Sequence, residues 1–300
     1  MQKPAPESRV IGLLRAGAAG VAVLGAYSFY EPYRFKLASI DVPVARPVPS
    51  LTVLHLSDLH LTAGRRALAR WLEELPRKLG QRPDLVAVTG DLIEDGSGIE
   101  AAIRVLSGLE GSLGRFYVLG SHDYYESAGP SYSKYFTGTR TIRRARRADT
   151  ASLEAGLEGA GWVPLTNATE LIDSPGGRIR ISGVDDPYIS RHSTEHISRA
   201  ADEVLALGLM HAPDVVSDFA LHGFDLVLAG HTHAGQVRLP RFGALVTNCS
   251  LPAGLAGGLH RVGATWLHVS PGLGTSRYSP VRFLARPEAT LLRLAGDGTH

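Results

Sequence analysis

Aspartate and histidine residues follow a series of short apolar runs in this 300-residue sequence. In an extended chain, side chains two positions apart point to the same side, so Asp58 and His60 can converge on one ion, and so can His231 and His233. Strand ends are also where α/β folds place active sites. The spacing therefore predicts a metal site. The motifs are Ser57-Asp58-Leu59-His60, Gly90-Asp91, Gly120-Ser121-His122-Asp123, Met210-His211 and Gly230-His231-Thr232-His233.

Each motif alone has an ordinary explanation, because an isolated aspartate or histidine after a strand is more often a turn cap or a buried, hydrogen-bonded core residue. Their joint occurrence is different. Five strand ends that replace apolar burial with carboxylate or imidazole would each lose stability unless a shared ligand compensated. Mixed carboxylate and imidazole ligands suit Mn, Fe or Zn, and the sequence does not choose among these ions.

The elements that position these motifs alternate in the first half of the chain. The predicted strands are 51–56, 85–90 and 116–120, with helices over 66–79, broken at Pro76, and over about 98–109. The second half predicts strands near 169–173, 178–183, 205–210 and 225–230, and helices near 194–206 and 213–222. Antiparallel strands are expected around 235–247, 260–270 and 288–294. This order favours an α/β sandwich of two sheets.

The N-terminal segment has a different composition. Residues 10–30 are apolar apart from Arg15 and have basic residues on both sides, which predicts a helix that spans or lies on a membrane, or packs on the domain. Pro43, Pro47 and Pro49 indicate an extended linker. We therefore expect an apolar helix and linker over residues 1–48, a domain over residues 49–296, and a membrane-associated, otherwise cytoplasmic protein.

Charge and cysteine content restrict the remaining possibilities. The net charge is +2, from 31 basic and 29 acidic residues, so the chain has no nucleic-acid-binding signature, and no protein partner is evident. The single cysteine excludes an internal disulfide. A local arginine run either contacts phosphates or an anionic membrane surface, or forms a solvated face. It consists of Arg140, Arg143, Arg144, Arg146 and Arg147.

Taken in order, the motifs DxH, GD, GxHD, a single histidine and GHTH resemble the calcineurin-like metallophosphoesterases over about residues 50–295. SDLH, TGDL, GVDDP and GHTHAGQ are similar to the bacterial membrane-linked branch, which includes UDP-2,3-diacylglucosamine hydrolases and related phosphodiesterases. The resemblance implies a four-layer αββα sandwich, in which helices flank two mixed β-sheets around a centre of two divalent metal ions.

The resemblance also implies a role for each motif. Asp58, His60 and His233 would bind one ion, His211 and His231 the other, and Asp91 would bridge both. A metal-bridging hydroxide would attack the phosphorus. His122 would neutralise charge or protonate the leaving oxygen, and Asp123 would orient its ring. The implied reaction is hydrolysis of a phosphate mono- or diester, lipid-linked or nucleotide-linked.

Ser121 departs from the resemblance, because the family pattern usually has asparagine there, with its amide oxygen on the second metal. A serine hydroxyl is a shorter and weaker ligand, so occupancy of the second site is open. The alternative is a degenerate, non-catalytic protein of the same fold that binds metal or phosphate. A serine hydrolase is excluded, because the sequence has no GxSxG motif.

Overall fold

Two six-stranded mixed β-sheets form the centre of the protein. The structure is a computed structural model that describes residues 6–44, 48, 50–127, 145–244, 247 and 249–296. The first sheet has the order β1-β14-β2-β3-β4-β5 and the second β12-β13-β9-β8-β7-β6. The strands are β1 Lys36–Val44, β2 Leu51–Leu56, β3 Leu85–Thr89, β4 Gly114–Val118, β5 Val163–Pro164, β6 Ala168–Ser174, β7 Gly177–Gly183, β8 Glu203–Leu209, β9 Leu226–Ala229, β10 Arg238–Leu239, β11 Gly243–Ala244, β12 Gly258–Val262, β13 Thr265–Val269 and β14 Glu288–Gly296.

Helices cover the outer faces of both sheets. Leu54 and Leu56 of β2 pack outward with helix residues such as Leu72 and Leu106, whereas Phe219 packs on the outer face of the second sheet. A third apolar core lies between the sheets. The predicted four-layer αββα sandwich is therefore confirmed. The helices are α1 Pro6–Tyr30, α2 Arg66–Glu73, α3 Leu75–Leu79, α4 Ile99–Ser107, α5 Ser121–Tyr124, α6 Thr150–Gly159 and α7 Val216–Leu221.

The central strands of each sheet run parallel, which brings their carboxyl ends to one edge. Strand β2 pairs parallel with β3, and β3 with β4. In the second sheet β7, β8, β9 and β13 are successive parallel neighbours. Because both faces of β2, β3, β8 and β9 are covered, these four strands are nearly continuous apolar runs, as the sequence predicted.

Two sequence predictions are wrong in this region. The helix near 194–206 does not form, because Arg199 Nη1 donates to Asp225 Oδ2 at 2.7 Å and Arg199 Nη2 to the carbonyl of Glu203 at 3.0 Å, which holds the segment in an irregular path before β8. The expected linker contains strand β1, which pairs parallel with β14 along its length. A domain boundary between residues 48 and 49 would therefore divide the first sheet.

Helix α1 is attached to the domain at its C-terminal end. The carboxylate of Glu31, just after the helix, accepts the backbone N–H groups of Leu284 and Ala285, each at 2.8 Å. The backbone N–H of Arg282 donates to the carbonyl of Ser28 at 2.9 Å. Within the described residues, no helix has the length and apolar character needed to cross a membrane.

A pair of buried histidines joins the two sheets. His55 of β2 and His268 of β13 are fully buried, and their Nδ1 atoms lie 2.8 Å apart. Burial lowers the pKa of His268 from 6.5 to about 3 and also lowers the pKa of His55. Both imidazoles are therefore neutral in the folded protein at mildly acidic pH.

We expect this pair to make the fold sensitive to acid. Below pH 6.5, His268 becomes protonated in the unfolded chain but stays neutral in the folded chain. The free energy of unfolding therefore decreases as the pH is lowered, by about 2 kcal/mol for this residue at pH 5. Between pH 7.5 and pH 5, the free energy of unfolding of His268→Leu should therefore decrease by about 2 kcal/mol less than that of the unchanged protein. The measurement is urea unfolding of metal-free protein at both pH values. His222→Gln, at an exposed histidine, is the control and should behave as the unchanged protein; an equal loss in His268→Leu would contradict the assignment.

Candidate metal centre

The loops after β2 and β3 place three of the predicted ligands. Asp58 and His60 follow β2, and Asp91 follows β3. The backbone N–H of Asp58 donates to Gly90 O at 3.0 Å, and that of His60 to Asp91 O at 2.9 Å. These hydrogen bonds continue the parallel pairing past the strand ends and bring the three side chains together. All three side chains are buried.

The second sheet supplies the histidines. His211 follows β8, whereas His231 and His233 follow β9, and the N–H of Gly230 donates to His211 O at 2.9 Å. The backbone N–H of His231 also donates to both carboxylate oxygens of Asp58, at 3.2 and 3.1 Å. This contact crosses from one sheet to the other, so the site depends on the packing of the two sheets.

The six predicted ligands lie in one cluster, which we call the ligand cluster. On one side, His233 Nε2 is 3.6 Å from Asp58 Oδ1 and 3.3 Å from His60 Nε2. On the other side, His211 Nε2 is 3.3 Å from His231 Nδ1. Asp91 Oδ2 lies between the two sides, 3.6 Å from His60 Nε2 and 3.3 Å from His211 Nε2. The cluster comprises Asp58, His60, Asp91, His211, His231 and His233.

Five of the six cluster residues have a positive φ, a region that non-glycine residues rarely adopt. The angles are 50° for Asp58, 44° for His60, 52° for Asp91, 69° for His231 and 50° for His233. Each such residue costs about 1–3 kcal/mol unless the surroundings impose it. These backbone conformations are therefore unfavourable in themselves, and they orient the five side chains toward one another.

The electrostatics of the cluster couple a carboxylate to an imidazole. Burial alone would raise the pKa of Asp91, but the positive charges of His211 and His122 outweigh burial and hold it well below its ordinary value. Although burial opposes the charge of His211, the carboxylate of Asp91 holds the pKa of His211 well above its ordinary value. A divalent cation between them would take the place of this proton.

The outward nitrogens of two cluster histidines have acceptors. His60 Nδ1 is 2.8 Å from Glu94 Oε2, and His211 Nδ1 is 2.8 Å from the carbonyl oxygen of Thr89. With a proton on each Nδ1, both Nε2 atoms present a lone pair to the cluster, which is how ligating histidines are usually held. Carboxylates and imidazoles arranged in this way fit Mn, Fe or Zn.

Comparison with known proteins agrees with this geometry. Residues 51–235, more than half of the chain, match the family model described as calcineurin-like phosphoesterase. The chain belongs to this family. Family membership makes it a metal-dependent hydrolase of phosphoric ester bonds, as the sequence motifs predicted.

Named relatives cover nearly the whole chain. The uncharacterized metallophosphoesterase YkuE of Bacillus subtilis (strain 168) is 27% identical over 98% of this chain and 99% of its own length. A Bos taurus transmembrane protein with metallophosphoesterase domain is 29% identical over 91% of this chain and 60% of its own. Among solved structures, a 5'-nucleotidase precursor from Thermus thermophilus has a TM-score of 0.46 and 14% identity, covering 82% of this chain and 55% of that one.

The GxHD motif forms the short helix α5 beside the cluster. The N–H of His122 donates to Asp91 Oδ1 at 2.8 Å, and the His122 side chain is 22% exposed at the rim. The predicted role of Asp123 in orienting His122 is wrong. Asp123 is buried, and its carboxylate instead accepts the backbone N–H groups of Leu92, Ile93 and Gly120, at 2.8, 3.1 and 2.9 Å.

Glu94 is one of two residues at the site that the sequence motifs did not predict. Its Oε2 is 3.5 Å from His122 Nδ1 and 2.8 Å from His60 Nδ1, so one buried carboxylate serves two histidines. Burial raises its pKa, but His60 and His122 outweigh burial and lower it to about 2. The only signal in the sequence was its position three residues after Asp91, in a loop with no periodicity.

Arg282 was also missed, and it lies behind His233. Its side chain is fully buried, and its Nη2 lies 3.1 Å from His233 Nδ1. The same guanidinium donates to the carbonyls of Pro271 and Ala285, at 2.7 and 3.0 Å. Of the predicted arginine run, Arg140, Arg143 and Arg144 lie outside the described residues, whereas Arg146 forms an exposed ion pair with Glu126 at 3.8 Å.

We expect Glu94→Gln to weaken metal binding without unfolding the protein. Glutamine has the same size but is a neutral acceptor, so His60 becomes a less basic ligand, and loss of such a partner typically weakens affinity about 10–100-fold. The measurement is competition for Mn²⁺ between the protein and a fluorescent chelator.

Glu126→Gln is the matched control for Glu94→Gln. Glu126 follows the same helix α5, and its contacts are with Gly96 and Arg146. The control should keep the affinity of the unchanged protein. Equal affinities in both variants would show that Glu94 does not support the bound ion.

Proposed function

We propose that the protein hydrolyses a lipid-linked or nucleotide-linked phosphate mono- or diester with two divalent metal ions. The observation that carries the proposal is the position of Asp91, whose Oδ2 lies between His60 of one side and His211 of the other. Asp58, His60 and His233 would hold one ion, His211 and His231 the other, and Asp91 both. When bound, such a pair lowers the pKa of a shared water and positions the attacking and leaving oxygens of an in-line displacement.

His122 is the residue that we assign to the substrate. It lies at the exposed rim of the cluster, and its ring centroid is 4.7 Å from that of His60. Its Nδ1 faces Ser127 Oγ at 3.2 Å and Glu94 Oε2 at 3.5 Å, which leaves Nε2 for the phosphate. In this position it donates a hydrogen bond to the phosphate or a proton to the leaving oxygen. Glu94 and Ser127, rather than Asp123, set its orientation.

The proposal predicts metal-dependent turnover of bis-p-nitrophenyl phosphate. Activity should disappear with chelator and return with Mn²⁺, Zn²⁺, Fe²⁺ or Mg²⁺ to different extents, which identifies the working ion. Asp91→Ala should abolish activity because both ions lose a ligand. His122→Ala should retain the metals and lower kcat by about 10²–10⁴-fold, the usual contribution of a general acid.

His222→Ala is the control for these variants, because His222 is exposed and lies outside the cluster. It should leave both turnover and metal content unchanged. Turnover that is indifferent to chelator would contradict the proposal. A folded protein that shows no turnover with any ion would instead favour the non-catalytic binding protein that Ser121 suggested.

We further propose that helix α1 holds the protein at a membrane surface. It exposes the large apolar side chains Val21, Val23, Leu24, Phe29 and Tyr30, each with more than half of its surface accessible. Burying such side chains in the interface contributes favourably in proportion to their apolar area. The C-terminal end of the helix is attached to the domain, so docking would bring the ligand cluster close to lipid-linked substrates.

Vesicle sedimentation tests the membrane proposal. Leu24→Glu/Phe29→Glu should lower the fraction bound to vesicles of anionic and neutral phospholipid about tenfold or more, because two apolar anchors become charged. Leu221→Glu is the control, since Leu221 of α7 is also exposed, at 84%. Failure of the unchanged protein to sediment with vesicles would contradict the proposal and leave the phosphoesterase assignment unaffected.

A further inference from the structure

The proposed assignment gives the two metal positions unequal oxygen donors. Asp58 and Asp91 both lie close to His211 as well as to His60. Asp58 is assigned to the ion of His60 and His233, however, and Asp91 is shared by both ions. Ser121 follows Gly120, whose backbone lies against His211, since a Cβ on Gly120 would be 2.9 Å from His211 Cδ2. The neutral hydroxyl of serine is a weak ligand. An ion on the side of His211 and His231 therefore lacks an anionic oxygen of its own.

A buried carboxylate lies beside this weaker side. Asp186 is fully buried, and its Oδ1 accepts the backbone N–H of Tyr188 at 2.9 Å. Its Oδ2 has no hydrogen-bond partner among the described residues. Burying an ionised oxygen without a partner is unfavourable, so this atom is suited to a cation or to water held by a cation.

Strand pairing places Asp186 next to the histidines. Strands β7, β8 and β9 are successive parallel neighbours, and Asp186, His211 and His231 follow their carboxyl ends. The N–H of Val184 donates to Leu209 O at 3.0 Å, which continues the pairing of β7 with β8. The ring centroid of Tyr188, two residues after Asp186, lies 4.5 Å from that of His231.

Contacts with α5 and the local charges agree with this placement. The hydroxyl of Tyr124, at the end of α5, donates to Asp185 Oδ1 at 2.9 Å, so the loop that carries Asp186 lies against the helix that carries Ser121. Burial raises the pKa of Asp186 to about 7, and its strongest charged neighbours are His211, which lowers that pKa, and Asp91, which raises it.

We propose that Asp186 supplies the anionic oxygen of the second metal position, directly or through one water, and so compensates for serine at position 121. The proposal rests on the proposed function, because it concerns the ion that Asp91, His211 and His231 would share. Asp185 does not have this role, since its carboxylate binds Tyr124 and the guanidinium of Arg191, the latter at 2.7 Å.

The test replaces one oxygen of one carboxylate. Asp186→Asn keeps the side-chain size and the Oδ1 that accepts from Tyr188, and removes the charge and the free Oδ2. Mn²⁺ binding to metal-depleted full-length protein is measured by calorimetry, and electron paramagnetic resonance detects exchange-coupled Mn²⁺ pairs. We expect the weaker of two sites to lose about 10–100-fold in affinity, with the stronger site retained and the coupled spectrum lost.

Asp185→Asn is the matched control and should keep both sites and the coupled spectrum. If Asp186→Asn does not fold, Asp186→Ser gives the same measurement, because its hydroxyl can still accept from Tyr188. Two sites of unchanged affinity in a folded Asp186 variant would overturn this inference and leave the proposed function standing. A single Mn²⁺ in the unchanged protein, without phosphodiester hydrolysis, would overturn both.

Discussion

Burial of like charge at one edge of the sandwich is the constraint on which the rest of the structure depends. Asp58 and Asp91 are both buried and are close enough that the charge of Asp91 raises the pKa of Asp58, in addition to the effect of burial. Two carboxylates in this position are unfavourable unless cations lie between them. The histidines partly offset the charge, but divalent ions offset it better and use the same lone pairs.

The need to hold these groups together explains the two-sheet architecture. Asp58, His60 and Asp91 come from the first sheet, whereas His211, His231 and His233 come from the second. The apolar core between the sheets fixes the distance between the two groups of ligands. The hydrogen bond from the backbone N–H of His231 to the carboxylate of Asp58 joins the two groups directly. Glycine is required where the loops meet: a Cβ on Gly230 would overlap Ser57 Oγ and the carboxylate of Asp58. The packing of the core therefore determines the distances between the predicted ligands.

Much of this was predictable from the sequence, because buried parallel strands are apolar runs that end abruptly in polar residues, and such ends meet at one sheet edge. Features that depend on long-range contacts were not predictable from the sequence. Strand β1 contains Asp41 and Pro43 and forms because β14 offers an edge. The absent helix near 194–206 is prevented by Arg199, which binds Asp225 instead. Glu94 lies in a loop without periodicity, and Asp123 binds backbone amides that no motif predicts.

The charges around the cluster favour divalent cations. Asp58, Asp91, Glu94 and Asp186 are buried carboxyl groups, whereas the buried guanidinium of Arg282 contributes one fixed positive charge. Without bound cations, this excess of acidic groups would repel an anionic phosphoester. Arg282 contributes to this balance, since burial and its guanidinium together hold the pKa of His233 well below its ordinary value and keep that imidazole neutral.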